Sequence, residues 1–436
     1  MIRFVHTADL HFGVENYGRI DPATGIHTRL LDFHRALRTC VEQAVHEDVD
    51  FFLFCGDAYK TAQPTPTQQR LLFDCFLHLF RAGIPAVMVV GNHDNPASFG
   101  KSHALELFGQ IPVSGFHVIS KPERLVLQTK RGPIQIVGIP WPSRSLLALN
   151  RGTAPLGAEL SAHIGSRVAE LIRFFSEQCA CDPKVPAILA GHLTVSSGLF
   201  SGSEKRAICG QDPLLLPSQL AIAPFSYVAL GHLHRFQQVN KGQSPAIVYP
   251  GSVERIDFGE RNEEKGFCIV SVEAGAPAEY TFVPLVSRPF IQLEVRLEGE
   301  LRHTEQLMDA LKNKPIADAI LKVVYHVPPG VKDRVDTRLL QQACSSAMYV
   351  VGFFPIHAPM QRTVRSTIHV DMDVESALRA YLAGQKQPGD RIERLAYLLH
   401  QIEKELQDDA TPTPDQDQTS LPLALPQGQE SYPPVG

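Results

Sequence analysis

The sequence predicts an α/β protein: two sheets packed face to face with helices outside, then a smaller α/β unit, then a helical segment. Three observations predict it. Short apolar runs of Val, Ile, Leu, Phe and Ala alternate with longer stretches whose apolar residues fall three or four apart, up to about residue 285. "VPLVSRP" at 283–289, with two prolines, interrupts that alternation, and the runs beyond it become half-polar. The length of 436 residues accommodates two or three domains at roughly 150 residues each.

Taken in order, the apolar runs are 2–9 (IRFVHTAD), 51–57 (FFLFCGD), 86–94 (AVMVVGNHD), 134–140 (IQIVGIP), 187–193 (AILAGHL), 227–234 (YVALGHLH) and 246–252 (AIVYPGS). Runs this short and this apolar read as strands buried on both faces. The stretches 28–46, 67–81 and 164–179 carry the helical period. Beyond 288, "IQLEVRL" (291–297) alternates as a half-exposed strand does, a helix is predicted over 303–312, strands over 320–327 and 348–354, and a further helix over 333–346. A third segment begins at Val374. In it Ile392, Leu395, Leu399, Ile402 and Leu406 form a narrow seam among charges, suited to packing on its own domain or on a partner helix. The tail 409–436, rich in Pro, Gln and Asp, has the composition of a disordered segment. The predicted divisions are thus 1–287, 288–373, 374–408 and 409–436.

Hydrophobic content of 44% with 20% charged residues is that of a globular protein. No apolar run approaches the ~20 residues of a membrane span. The N-terminus turns polar at His6 without a signal-peptide core, so the expectation is a cytoplasmic protein with no membrane contact. Eight cysteines form no CxxC pair; Cys179 and Cys181 make a lone CxC with no second pair to complete a zinc site. Five acids and no Lys or Arg from Asp408 onward account for the whole net charge of −5. Global charge therefore does not announce a nucleic-acid binder, and a polyanion would need a local basic patch or bound cations.

Five of the apolar runs end in side chains that bind metals: Asp9 and His11, then Asp57, then Asn92 with His93 and Asp94, then His192, then His232 and His234. Gly directly precedes the first of them in four of the five. One His at a strand end is ordinarily a hydrogen-bonded structural residue, and Gly-Asp is an ordinary turn. Five coincidences are different, because the carboxyl edge of an α/β sheet is where ligands bind. Asp9 and His11 are two apart, as are His232 and His234, and on an extended chain such pairs face one way. Asp, Asn and His without thiolate suit Mn²⁺, Fe²⁺ or Zn²⁺. Seven donors (Asp9, His11, Asp57, Asn92, His192, His232, His234) suit two ions, with Asp57 as the shared carboxylate. His93 is then expected to face substrate, oriented by Asp94.

D-x-H, G-D, G-N-H-D, G-H and G-H-x-H in this order, across residues 1–250, resemble the calcineurin-like metallophosphoesterase superfamily. "YPGSVERIDFGERNEEKGF" (249–267) is similar to the bacterial SbcD-type branch of the Mre-type DNA repair nucleases. The resemblance implies a four-layer αββα metallophosphoesterase sandwich over 1–287, a capping domain over 288–373, and a segment, 374–408, that grips the coiled-coil base of an SbcC-type ATPase. It implies a Mn²⁺-dependent 3′→5′ exonuclease on double-stranded DNA and an endonuclease on single strands or hairpins, in a homodimer within a heterotetramer. Asp9, His11, Asp57 and His234 would hold one ion; Asp57, Asn92, His192 and His232 the other; His93 would act at the leaving group. Lys60 in "GDAYK" stands where relatives carry His or Asp. Lys60, Arg144, Arg235 and Arg255, near the motif loops, are candidate phosphate contacts. "FGKS" (99–102) copies the end of a Walker A loop, but Asn95 replaces its first Gly, so no ATP site is expected in this chain. The alternative is a stand-alone phosphodiesterase or phosphatase for small nucleotides, which would need neither the unit after 288 nor the seam.

Overall fold

Strands that are apolar on both faces need cover on both sides. In the structure, a computed structural model describing residues 1–96, 102–110, 115–143, 158–202, 212–357, 372–385 and 387–408, they receive it. The first sheet runs β14 (Glu279–Pro284), β13 (Gly266–Val272), β1 (Ile2–Thr7), β2 (Phe51–Cys55), β3 (Ala86–Val89), β4 (Phe116–Ile119). Its members β1 to β4 are parallel, and β13 joins β1 antiparallel. The second sheet runs β11 (Gln237–Gln238), β12 (Ala246–Tyr249), β10 (Phe225–Gly231), β7 (Ala187–His192), β6 (Gly132–Ile139), β5 (Glu123–Thr129). A two-stranded pair, β8 (Thr194–Val195) and β9 (Leu214–Leu215), lies between β7 and β10 in the chain.

Phe4, Phe51, Leu53 and Val87 of the first sheet pack on Ile134, Ile136, Ile188, Tyr227 and Val248 of the second. On the outer side of the first sheet, α1 (Thr28–His46) and α2 (Pro66–Arg81) lay Phe33, Leu37, Leu72 and Phe76 over Phe52, Phe54 and Met88. α3 (Glu106–Gln110) adds Phe108 to that cluster. On the outer side of the second sheet, α4 (Ala158–Ala180) places Ile164, Val168 and Ile172 over Val137, Leu189 and Val228, and the short α5 (Pro217–Leu220) adds Leu220. The order of layers is helix, sheet, sheet, helix, as expected. Each such buried side chain contributes roughly 1.5–3 kcal/mol, so the strand ends above this core are held rigidly. α2 also starts sharply: Thr65 and Gln68 form a capping box and Pro66 takes the first turn.

The predicted helix over 28–46 is found unchanged, and that over 67–81 begins one residue earlier. β5 and β14 escape the apolar-run criterion because their residues are mostly exposed or half-buried at sheet edges; β4, also at an edge, is half-buried except for Ile119. β13 is a buried run that the reading of the sequence passes over.

A parallel three-stranded sheet follows, β15 (Phe290–Arg296), β16 (Ile320–Val327) and β17 (Tyr349–His357) in that order, with α6 (His303–Lys312) and α7 (Thr337–Ala343). It has its own core of Leu293, Leu307, Leu311, Leu321, Val323 and Leu340. Arg288, at its root, forks onto Asp32 of α1 with both bonds at 2.6 Å. Residues 1–357 form one compact unit and 358–436 another. In the second, α8 (Val374–Gly384) and α9 (Gly389–Asp408) are tied by Arg379, which forks onto Glu393 at 2.6 and 3.0 Å. Ile392, Leu395 and Leu399 of the seam are half-buried, whereas Ile402 and Leu406 are exposed. The tail 409–436 lies outside the described residues. Among the described residues no helix is long and apolar enough to cross a membrane.

Candidate metal centre

The carboxyl ends of β1, β2, β3, β7 and β10 meet at one rim, and their polar residues are buried there: Asp9 and His192 completely, His11, Asp57, His232 and His234 almost so. Three sets of donor atoms, each within 4.8 Å of one another, come together: Asp9 with His11 and His234; His11 with Asp57 and His93; Asp9 with Asp57 and His192. Asp57 Oδ2 lies 3.6 Å from His11 Nε2 and 3.4 Å from His192 Nε2, between the two groups. Asp9 is shared as well, belonging to the first and third sets, which the sequence did not reveal. Asn92 joins the His192 side and brings in His232, its Oδ1 2.9 Å from His192 Nε2 and 3.3 Å from His232 Nδ1.

The backbone that achieves this is not the extended one expected. Asp9, His11, Asp57 and His232 take φ of 54°, 50°, 59° and 107°. Side chains rarely occupy this left-handed region, and such strain clusters at functional sites. The pairs two residues apart therefore converge through left-handed turns after the strands end, not through strand alternation. The preceding glycines are needed for room, and Gly56, at φ 92°, for turning as well. A Cβ on Gly91 would run into the carboxylate of Asp57, and one on Gly56 into the ring of His192.

The donor set can be tested against a cation through its hydrogen bonds. His192 must donate Nδ1–H to the Cys55 carbonyl at 2.8 Å, because a carbonyl only accepts. His234 gives Nδ1–H to Glu260 at 3.0 Å, and His232 gives Nε2–H to Asp212 at 3.0 Å. Whenever these rings are neutral, the inward nitrogen of each is the one that carries a lone pair. His192 Nε2 faces Asn92 and Asp57 oxygens, and His234 Nε2 faces His11 Nε2 at 3.0 Å. At His192 a buried lone pair facing carboxylate and amide oxygens is costly unless a positive charge lies between them. Imidazoles fixed by an outer acceptor are how proteins build metal sites. The residues fit divalent cations.

The electrostatics show the same demand for positive charge, which a proton on His192 meets when no cation is bound. Burial disfavours a charged His192, but Asp57 outweighs it and pushes the ring up to about 9. Burial would also raise Asp57, but His192 and then His11 hold it well below the carboxylate range. Burial dominates elsewhere: Asp9 rises to about 7, and His11 and His232 are pushed down. A proton and a metal ion compete for the same lone pair on His192.

Several expectations need correction. Asp94 does not orient His93. It is fully buried, and its carboxylate accepts from the backbone N–H groups of Asp57, Ala58, Tyr59 and Gly91 at 2.9–3.3 Å, clamping the Asp57 loop. Burial and then the charge of Asp57 raise it to about 6. His93 Nδ1 instead donates to the carbonyl of Lys60 at 2.9 Å, leaving Nε2 4.0 Å from Asp57 with the ring 43% exposed. Lys60 thus serves the site through its main chain, while its residue as a whole is exposed. Arg255 is not free to meet a phosphate: its guanidinium donates to the carbonyls of Arg288 and Glu263. Arg235 is exposed. Arg144 and most of "FGKS" lie outside the described residues.

Sequence reasoning missed the residues behind the rim. Asp212 and Glu260 reach His232 and His234 from 20 and 26 residues away, with no period to betray them. Trp141, the one tryptophan, lies 4.9 Å from the ring of His232.

An αββα sandwich with clustered carboxylate and imidazole donors at its carboxyl rim has the build of a metal-dependent hydrolase. Residues 2–236 match the calcineurin-like phosphoesterase family, and the chain belongs to it. It is a metal-dependent phosphodiesterase. Among curated proteins it is similar to the SbcD component of the SbcCD nuclease of Staphylococcus epidermidis, 26% identical over 321 residues that cover 72% of this chain and 76% of that protein. It is also similar to the SbcD component of the Escherichia coli K12 nuclease, 27% identical, with 72% and 76% covered. A third relative is the DNA double-strand break repair protein Mre11 of Methanosarcina mazei, 24% identical over 74% of this chain but only 44% of that protein.

Proposed function

We propose that the chain is the nuclease component of a DNA repair complex, hydrolysing phosphodiesters with two divalent cations, Mn²⁺ foremost. Asp9, His11, Asp57 and His234 would hold one ion, and Asp57, Asn92, His192 and His232 the other. The observation that carries this reading is the placing of Asp57 Oδ2 between His11 and His192, where a single carboxylate can serve both groups. Two divalent cations held there would supply an activated water and neutralise charge on the phosphate. The protein does the rest. Asp94 fixes the Asp57 loop through four amides. Glu260, Asp212 and the Cys55 carbonyl set the tautomers of His234, His232 and His192. His93, its Nδ1 committed to Lys60, has Nε2 available to carry the proton for the departing oxygen.

The reading of DNA as substrate is supported by the names of the relatives, two of them components of a nuclease and one a double-strand break repair protein. Residues 1–287 would be the hydrolytic domain and 288–373 a cap over the substrate path. The 374–408 helices would dock on a coiled-coil ATPase of the SbcC type, Tyr397, Ile402 and Leu406 being exposed apolar surface among the described residues. Degradation of duplex DNA would run 3′→5′, with endonuclease action on single strands and hairpins, and two copies would pair in the full assembly.

The test is an end-labelled linear duplex incubated with protein and Mn²⁺, with and without a coiled-coil ATPase partner. Shortening from the 3′ ends is expected, with none after EDTA treatment or in Asp57→Asn, which should lose at least about 10³-fold, some 4 kcal/mol of transition-state stabilisation. Hydrolysis of a nitrophenyl phosphodiester with DNA left intact in both conditions would favour the small-nucleotide esterase.

A further inference from the structure

The stretch 249–267 marks the family resemblance, yet the mechanism above uses only one of its side chains. We propose that Glu260 and Lys265 form a buried positioning pair that orients His234 and thereby sets the metal affinity of its half of the centre, an inference that rests on the metal-centre reading.

Glu260 closes a single turn of 3-10 helix, Phe258–Glu260, and is fully buried. Its Oε1 accepts from His234 Nδ1 at 3.0 Å. Its Oε2 accepts from the backbone N–H of Ile256 at 3.0 Å and lies 2.8 Å from Lys265 Nζ. The side chain of Lys265 is completely buried too. An ammonium has three donors, and all three have acceptors here: Glu260, Glu263 at 3.0 Å, and the carbonyl of His234 itself at 2.9 Å. The pair therefore fixes His234 twice, at its ring through Glu260 and at its main chain through Lys265.

Stability alone does not account for this arrangement. A buried ion pair gains little over well-packed apolar residues of the same volume, because desolvating both charges offsets their attraction. What an apolar pair cannot do is hold Nδ1–H of His234 and enrich the opposite nitrogen. A carboxylate behind a ligating imidazole does both, and losing such a partner ordinarily weakens metal binding by about 10–100-fold. Lys265 lets Glu260 remain an anion where water cannot reach it. The other half does not touch Glu260: His192 is backed by the Cys55 carbonyl and His232 by Asp212, so the two halves should respond differently to this change.

The experiment titrates metal-free full-length protein with Mn²⁺ by calorimetry, counts bound metal by elemental analysis, and follows apo-protein melting. Wild type should take up two ions. Glu260→Gln, nearly the same shape, should weaken one site by about 10–100-fold and leave the other as it was. Glu260→Met with Lys265→Met should give the same one-site loss while the metal-free protein melts within a few degrees of wild type. Two wild-type sites in Glu260→Gln would overturn the proposal, and that single variant decides it if the double variant does not fold. A wild-type protein that binds fewer than two Mn²⁺ would instead overturn the metal-centre reading, and this inference with it.

Discussion

The rim around Asp57 and the α8–α9 helices break the ordinary rule of burial in opposite directions. At the rim, Asp9, His192 and Glu260 are fully buried although they are ionisable. On the helices, Tyr397, Ile402 and Leu406 are 63%, 53% and 65% exposed although they are apolar. Each anomaly states the chemistry of what should complete it. Converging lone pairs call for cations; bare aliphatic side chains call for another apolar surface.

The comparison is broken most sharply at His93, the exposed member of the rim. His93→Ala should lower kcat by about 10²–10⁴-fold while two Mn²⁺ remain bound. Metal loss in that variant, read by elemental analysis, would make His93 a ligand and remove the distinction between buried ligands and an exposed proton carrier. Next in size is the helical side. Ile402→Asp with Leu406→Asp should weaken binding to the coiled-coil ATPase by about 30-fold, near 2 kcal/mol, as loss of apolar anchors does. Hydrolysis of a small phosphodiester should stay within about twofold; an unchanged affinity in a pull-down titration would return the seam to the role of packing within its own unit.

The smallest effect belongs to His6, which is buried like the rim but has no part in it. It contacts the Tyr227 hydroxyl and the Leu230 carbonyl, each at 3.2 Å. Burial pushes its imidazole down to about 3, against the opposing pull of the Leu230 bond. The unfolded chain takes up that proton near 6.5 and the folded chain does not. The unfolded state therefore binds more protons between pH 6.5 and 3, and stability falls as pH falls through that window, by up to about 1.4 kcal/mol per unit. His6→Gln should flatten this slope between pH 6.5 and 5, shifting melting by a few degrees, with Mn²⁺ uptake unchanged. An identical slope in the variant would show that His6 does not titrate in this way.

Much of the rim was legible because two independent signals coincided: apolar runs that end, and donor residues that recur at the ends. Asp9, His11, Asp57, Asn92, His192, His232 and His234 are brought together. Direction was not legible. Asp94 follows His93 in the chain, and adjacency suggested partnership, but the side chain turns inward to the amides of 57–59 and 91. The convergence of Asp9 with His11 was anticipated for a reason that does not hold, since the chain leaves its strand before either residue. Asp212 and Glu260 were invisible because orientation of a ring depends on tertiary approach, which no local period encodes. Seam residues were identified, but only packing could divide them into a covered half and a bare half.

His93 is gripped by an oxygen that every amino acid possesses. The Lys60 carbonyl is positioned by its own backbone N–H bonding to Phe12 and by His93 beneath it. The residue chosen at position 60 is consequently decoupled from the aim of the imidazole. A basic, neutral or acidic side chain could stand there, changing the charge beside the opening without disturbing the aim of the His93 ring.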